Sequence, residues 1–196
     1  TTQSAAIYAA YPEMQTFSYG SKASQTIDLF LPKGDAPAPL HIFIHGGYWQ
    51  ALSKRDSTFP AQGFLDQGIA FAAVDYTLAP HASMDEIVAE VVAALRHLQD
   101  HAERLGIDRN RIVVSGSSAG AHLAAMACIE MAATEQPAGV ILLSGIYDLR
   151  PLLNIYVNDA IGMNAAEARR NSPNLRGISD FPPSLIAWAQ NDTDEF

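Results

Sequence analysis

The sequence predicts an α/β fold: a mostly parallel central sheet flanked by helices, with a small cap. Two observations carry that prediction. Compact apolar runs at 40–44, 69–74, 112–115, 140–144 and 184–189 alternate with stretches of helical periodicity, the pattern of parallel strands joined by crossover helices. One of these runs, Ile112–Ser115, reaches Gly116 and passes almost directly into the small-residue segment 119–133, so a strand, a hard turn and a helix follow without a linker. In such a sheet the functional edge lies at the C-terminal ends of the strands.

Taken in order, Thr1–Gln15 has weak alanine-rich helical character around Ile7, Tyr8 and Tyr11, and is expected to cover part of a pocket rather than join the core. Phe17–Tyr19, a Gly-Ser-Lys-Ala-Ser turn and the alternation of Ile27, Leu29 and Leu31 predict an antiparallel pair. Leu40–Ile44 is a strand that runs into His45-Gly46-Gly47-Tyr48-Trp49. Lys54–Gln67 reads as one helix stopped by Gly68, and Ile69–Val74 as the strand before Asp75-Tyr76-Thr77-Leu78-Ala79-Pro80. Ser83 and Glu86 form a capping box for a long helix whose apolar residues, from Ile87 to Leu105, recur at helical spacing up to Gly106. Its charged residues Glu90, Arg96, Asp100, Glu103 and Arg104 read as a solvated face. Ala119–Ala133 is apolar nearly all round, as expected of a helix pressed between sheet and cover. Val140–Ser144 is the next strand, ending in Gly145-Ile146-Tyr147-Asp148. Segment 149–177 then loses strand periodicity and contains a helix-like piece, Asn164–Arg170, which reads as a cap insertion; Ser184–Ala189 is a further strand.

Composition narrows the function. The 196 residues suit a single domain, 1–196. Twelve basic against 21 acidic residues give a net charge of -9 without any basic run, which argues against nucleic acid as a partner. No apolar run approaches the roughly 18 residues of a membrane span, so no membrane partner is expected. Cys128, the one cysteine, lies in an apolar helix and points to a reducing, cytoplasmic setting. The oligomeric state stays open, a homodimer included.

Gly116 to Gly120 has the spacing G-x-S-x-G. On a sharp strand-to-helix turn the nucleophile occupies strained backbone, and glycines on both sides leave room for it. Ser118 would stand at the tip, and the N–H of Ala119 would face the same point, so one turn offers a nucleophile and an oxyanion donor. Neither G-x-G-x-x-G nor G-x-x-x-x-G-K-[ST] occurs, which argues against a nucleotide site.

Four motifs in this order, His45–Trp49, Asp75–Pro80, Gly116–Gly120 and Asn191–Phe196, together resemble the α/β-hydrolases. Within them the sequence, from about Phe17 onward, looks like the hormone-sensitive-lipase-like esterases and especially the kynurenine formamidase branch. The resemblance implies an α/β-hydrolase fold, a nucleophile at Ser118, and an oxyanion hole formed by the Ala119 N–H with backbone N–H groups of Gly46, Gly47 and Tyr48. Which two amides of that turn point inward stays open. Tyr48 stands where lipase-like relatives carry a third glycine. His45 is expected to orient the turn from below, while Tyr48, Trp49 and the cap would line the acyl or leaving-group side. The implied acid is Asp192, with Asp148 as runner-up and Asp194 as an ordinary loop carboxylate. No metal or cofactor is implied; the partner is a small-molecule ester or amide substrate.

The resemblance fails at one point. The six histidines are His41, His45, His81, His97, His101 and His122, and none follows Asp192, where the triad base should come. His122 lies one helical turn beyond Ser118 and reads as a core or supporting group. A serine without its base is a poor nucleophile, and the strand 184–189 would be an uncovered apolar edge. The expectation is therefore a C-terminally incomplete chain whose last strand, histidine loop and final helix lie beyond Phe196. The function expected is a serine hydrolase that cleaves a small carboxylic ester or an aryl formamide through an acyl-enzyme. The alternative is a histidine-less ligand-binding protein, of which the plant gibberellin receptor is the known type, or an inactive fragment.

Overall fold

The computed structural model describes residues 1–34, 37–190 and 192. Its centre is a seven-stranded sheet made of β1 (Gln15–Ser18), β2 (Thr26–Phe30), β3 (Ala38–Ile44), β4 (Ala70–Val74), β5 (Ile107–Ser117), β6 (Gly139–Leu143) and β7 (Ser184–Ala187), in the order β1-β2-β4-β3-β5-β6-β7. β1 and β2 form the expected antiparallel pair, β2 also runs antiparallel to β4, and every pairing from β4 to β7 is parallel. The register sets Ile44 beside Val74 and Gly116, and Ser117 beside Leu143, so the C-terminal ends of the parallel strands finish together. The motifs 45–49, 75–80 and 116–120 and the described Asp192 all follow these strand ends.

Strand alternation gives each face of the sheet its own cover. Ile27, Leu29, Ile42, Ile44, Val74, Val114 and Leu142 pack in one cluster with α3 (Met84–Asp100) and α4 (Ala119–Glu130). Phe30, Phe43, Phe71 and Ala73 face the other way, against Ile7 of α1 (Thr2–Ala10) and Ala61 and Leu65 of α2 (Ala61–Leu65). α1 is thus part of the second core layer and not the cover of a pocket that its weak periodicity suggested. Tyr8 edges onto Phe30 with ring centroids 5.7 Å apart.

Three expected helices differ in detail. The single helix expected over Lys54–Gln67 is a 3-10 turn at Lys54–Asp56 followed by α2, with Pro60 between them, whose missing N–H prevents a continuous helix. α3 begins at its capping box as expected but ends at Asp100; hydrogen-bonded turns continue to Gly106 and keep Ala102 and Leu105 buried, which preserves the helical spacing without the helix. α4 stops at Glu130, where Met131 turns extended. Segment 149–177 carries short helical pieces, among them α5 (Val157–Ile161) and α6 (Ala165–Arg170). At β7, Leu185, Ile186 and Trp188 are exposed. No helix among the described residues is long and apolar enough to cross a membrane.

Buried charge ties down the antiparallel side. Asp28, only 1 % exposed, accepts hydrogen bonds from Tyr8 Oη (2.6 Å), Thr16 Oγ1 (2.6 Å) and Lys54 Nζ (2.7 Å). Glu90, expected on the solvated face of α3, is instead buried: it accepts from the Thr77 N–H at 2.7 Å and from Lys22 Nζ at 2.9 Å, and so anchors the loop after β4. Removing one partner of a buried, hydrogen-bonded ion pair strands the other. Lys54→Met should therefore cost about 3–5 kcal/mol in urea denaturation, and adding Asp28→Asn should restore much of that loss.

Candidate active site

The turn between β5 and α4 has the geometry its sequence predicts. Ser118 sits at φ 55° and ψ -121°, a strained conformation for a residue with a side chain, and α4 starts at the next residue. Two glycines make room. A Cβ on Gly120 would lie 2.1 Å from the Ile44 carbonyl oxygen, and one on Gly116 would lie 2.2 Å from that of Gly120. The Ser118 N–H donates to the Leu143 carbonyl at 2.8 Å, and the Ser118 carbonyl accepts from the N–H groups of Ala121 and His122. The half-buried Ser118 hydroxyl has no hydrogen-bond partner among the described residues.

The loop after β3 closes against this turn. A Cβ on Gly46 would lie 2.7 Å from the Ser117 carbonyl oxygen and 3.3 Å from Ser118 Cβ. Gly47 (φ 98°), Tyr48 (φ 50°) and Trp49 (φ 59°) follow in left-handed conformations, with the Gly47 carbonyl accepting from Gln50 and Ala51. Among the described residues, the N–H groups of Gly46, Gly47, Tyr48 and Ala119 donate to no backbone acceptor. His45 supports the loop from below, as expected. It is buried, stacks on Tyr76 with centroids 4.3 Å apart, donates from Nδ1 to the Gly46 carbonyl at 2.8 Å, and lies 3.5 Å from Asp75 through Nε2. Tyr76 Oη donates to the His45 carbonyl at 2.9 Å.

Trp49 departs from expectation. It is wholly buried and does not line a pocket wall: its indole Nε1–H donates to His122 Nδ1 at 3.2 Å, and its carbonyl accepts from Ala79 at 2.8 Å. Tyr48 stays half-buried. Gln50 donates through its side-chain amide to the Val157 carbonyl at 2.7 Å, which fastens the same loop to the start of α5. Sequence reading missed both attachments, since neither residue type signals its partner.

Of the two candidate acids, Asp192 is held by groups at the ends of β6 and β7. It accepts from Ser144 Oγ at 2.6 Å and from the Ala189 N–H at 2.9 Å, and the Ser144 hydroxyl, then the Ala189 amide, hold its carboxyl below the usual carboxylate range. Ser144, itself at φ 46°, follows Leu143, whose carbonyl receives the Ser118 N–H. Asp148 is engaged elsewhere: Arg150 Nε lies 2.9 and 3.1 Å from its two oxygens, and this guanidinium pushes its carboxyl strongly down. Asp194 lies outside the described residues, as do Asn191, Thr193, Glu195 and Phe196 of the same motif.

None of the six histidines hydrogen-bonds the Ser118 side chain. His41 lies on the second face of the sheet, stacked on Phe64 at 4.0 Å and bonded to Ser115 Oγ at 2.7 Å. His97 and His101 sit at the far end of α3, His81 is exposed, and His122 is buried behind Trp49. Among the described residues, no group of three or more histidine, cysteine or acidic side chains is placed to hold a metal ion.

Residues 27–193 match the model of the family described as BD-FAE. The chain is 38% identical over 190 residues to the kynurenine formamidase of Danio rerio, a match that covers 91% of this chain and 63% of that protein. It is 32% identical over 120 residues to esterase LipC of Mycobacterium tuberculosis, covering 60% of this chain and 30% of the esterase. Among solved structures it superposes on a candidate thioesterase of Silicibacter sp. TM1040 with a TM-score of 0.85 and 29% identity, over 97% of this chain and 72% of that one. The chain spans less than two thirds of the length of the kynurenine formamidase it matches.

Two outcomes test this geometry. Gly120→Ala should destabilise by about 3 kcal/mol or more, since backbone and not a flexible side chain stands in the way, whereas Gly63→Ala, in α2 with open space around it, should be neutral or stabilising in the same denaturation assay. Burial lowers both His41 and His122 to about 4 from 6.5. The unfolded chain therefore binds more protons between those values, so the stability due to these neutral histidines is complete above pH 6.5 and lost as pH falls toward 4. Melting temperature should drop across that window, and His41→Asn should flatten the drop.

Proposed function

The chain belongs to the BD-FAE family, an α/β-hydrolase esterase family close to the arylformamidases, and on that premise we propose that the full-length protein hydrolyses a small carboxylic ester or an aryl formamide through an acyl-enzyme. The observation that carries this reading is the strained Ser118 turn packed against the 46–48 loop, with the N–H groups of Gly46, Gly47, Tyr48 and Ala119 left without backbone acceptors.

In the proposed mechanism Ser118 Oγ attacks the carbonyl carbon while its proton passes to an imidazole base. The carbonyl oxygen becomes an oxyanion, held by the Ala119 N–H and by backbone N–H groups of the Gly46-Gly47-Tyr48 turn. Collapse of the tetrahedral species expels the alcohol or arylamine, which takes the proton from the imidazolium, and an acyl- or formyl-enzyme remains. Water, deprotonated by the same base, then releases the acid and restores the Ser118 hydroxyl. Asp192 would orient the imidazole and stabilise its charged form; none of the six histidines in this sequence occupies that place. Tyr48 would form part of the wall against which a planar leaving group rests. Cys128 takes no part: it is buried, and its thiol is pushed up to about 12 by desolvation, which fits an inert core residue in a cytoplasmic protein.

A fluorophosphonate probe applied to the full-length protein, followed by peptide mapping, tests the nucleophile directly. The expected adduct is on Ser118 and disappears in Ser118→Ala, whose turnover should fall by about 10⁴–10⁶. An unlabelled Ser118 would overturn the hydrolase reading in favour of a ligand-binding protein. Asp192→Asn should lower kcat by about 10⁴, while Asp148→Asn should change it less than about tenfold; the reverse ranking would move the acid to Asp148. Rates on a phenyl ester and on an N-formylarylamine then choose the substrate class.

A further inference from the structure

We propose that His122 is a positioning residue for the oxyanion loop: one buried imidazole fixes Trp49, and with it the backbone of residues 46–49, relative to Ser118 and to the end of α6. The inference rests on the role given above to Ser118 and that loop.

His122 makes three attachments, each to a different part of the site. Its backbone N–H donates to the Ser118 carbonyl at 3.1 Å. Its Nδ1 accepts the Trp49 indole N–H at 3.2 Å, and its Nε2 lies 2.7 Å from the Asn171 carbonyl. An indole N–H can only donate and a carbonyl can only accept. The two neighbours therefore select a single state, the neutral imidazole with its proton on Nε2, and no other protonation state satisfies both. The side chain is fully buried, and desolvation keeps it neutral. The far end of the chain is also fixed, because Asn171 Nδ2 donates to Asp85 Oδ1 of α3 at 2.7 Å.

Trp49 is the last of the consecutive left-handed residues that shape the loop, so its position sets where the N–H groups of Gly47 and Tyr48 point. Its ring meets the His122 ring edge-on, with centroids 5.0 Å apart. Packing confines the wholly buried indole, and the directed bond to Nδ1 fixes which way its N–H points. A displacement of about 1 Å at an oxyanion donor is enough to lose roughly 10²-fold in rate.

The test uses the full-length protein with His122→Leu, His122→Gln, Trp49→Phe and the double replacement Trp49→Phe/His122→Leu. In ¹⁵N-labelled protein, His122 should show the Nε2–H tautomer. The Trp49 indole N–H, told apart from that of Trp188 by Trp49→Phe, should exchange slowly with solvent, faster in His122→Leu, and more slowly again in His122→Gln, which keeps one acceptor and one donor. With p-nitrophenyl acetate, well below each variant's Tm, kcat should fall about ten- to hundredfold in His122→Leu and Trp49→Phe while KM changes less than about twofold. The double variant should be no worse than the poorer single one, because both remove the same bond.

A purely structural histidine would lower Tm and leave kcat alone, and that result would overturn the proposal. So would unchanged exchange of the Trp49 indole in His122→Leu, or multiplicative losses in the double variant. Should His122→Leu not fold, His122→Gln and Trp49→Phe carry the same comparison from either side of the bond. Failure of the unmodified protein to hydrolyse the ester would instead count against the hydrolase reading, and the exchange measurement would still decide whether His122 holds Trp49.

Discussion

Backbone touches backbone where the end of β3 meets the first turn of α4. Gly120 lies so close to the carbonyls of Ile44 and His45 that no side chain fits between them, and Gly116 and Gly46 make the same kind of contact with Gly120 and Ser117. This approach is what holds the Ser118 turn in its strained conformation and brings the 46–49 loop beside it. The groups it assembles are mostly main-chain N–H groups, whose directions are set by φ and ψ and not by rotamers. Such donors need little reorganisation when charge develops near them.

The rest of the molecule stabilises that contact. α4 is apolar on every side because the sheet lies on one side of it and α3 on another, so the helix cannot turn without exposing core. On the antiparallel edge ion pairs take over: the buried pair of Asp28 with Lys54 joins β2 to the turn after the 46–49 loop, and the buried Glu90, with the exposed Lys22, joins α3 to the β1–β2 connection. Lys54 also brings its backbone N–H to Asp75 at 2.6 Å, beside His45. Charges buried in this way contribute little net stability but hold loops in one arrangement, since every alternative strands a charge.

The proposed acid side of the site is organised differently. Asp192 is held by a serine hydroxyl and one amide at the ends of β6 and β7, with no ion pair to it among the described residues. Hydrogen bonding from that hydroxyl and amide holds its carboxyl below the usual carboxylate range. Asp148, one strand closer to β5, has its charge already matched by Arg150 and serves the start of the helical segment that follows. Two carboxylates at one sheet edge thus have different surroundings, and those surroundings separate their chemistry.

Local order was legible in the sequence because it depends on near neighbours. The spacing of Gly116, Ser118 and Gly120, the capping box at Ser83, the alternation in β2 and the apolar runs of the parallel strands each follow from a few adjacent residues, and each stands where it was expected. Asp192 was nominated by its place after a strand, and His45 by the glycines beside it. Side-chain direction was not legible where a distant element decides it. Glu90 sits on the polar stripe of α3, yet the loop after β4 covers it; Trp49 adjoins the Gly46–Tyr48 turn, yet its left-handed backbone sends the ring inward to His122; α1 has weak periodicity, yet the aromatic second face of the sheet buries it. Sequence by itself determined the fold class, the Gly116–Gly120 turn and the sheet edge where its motifs gather, because helical and strand periodicity and glycine sterics act within a turn or two. Only the tertiary structure decided which polar groups are buried and what they hold, because desolvation and hydrogen bonding depend on what another part of the chain places within about 3 Å.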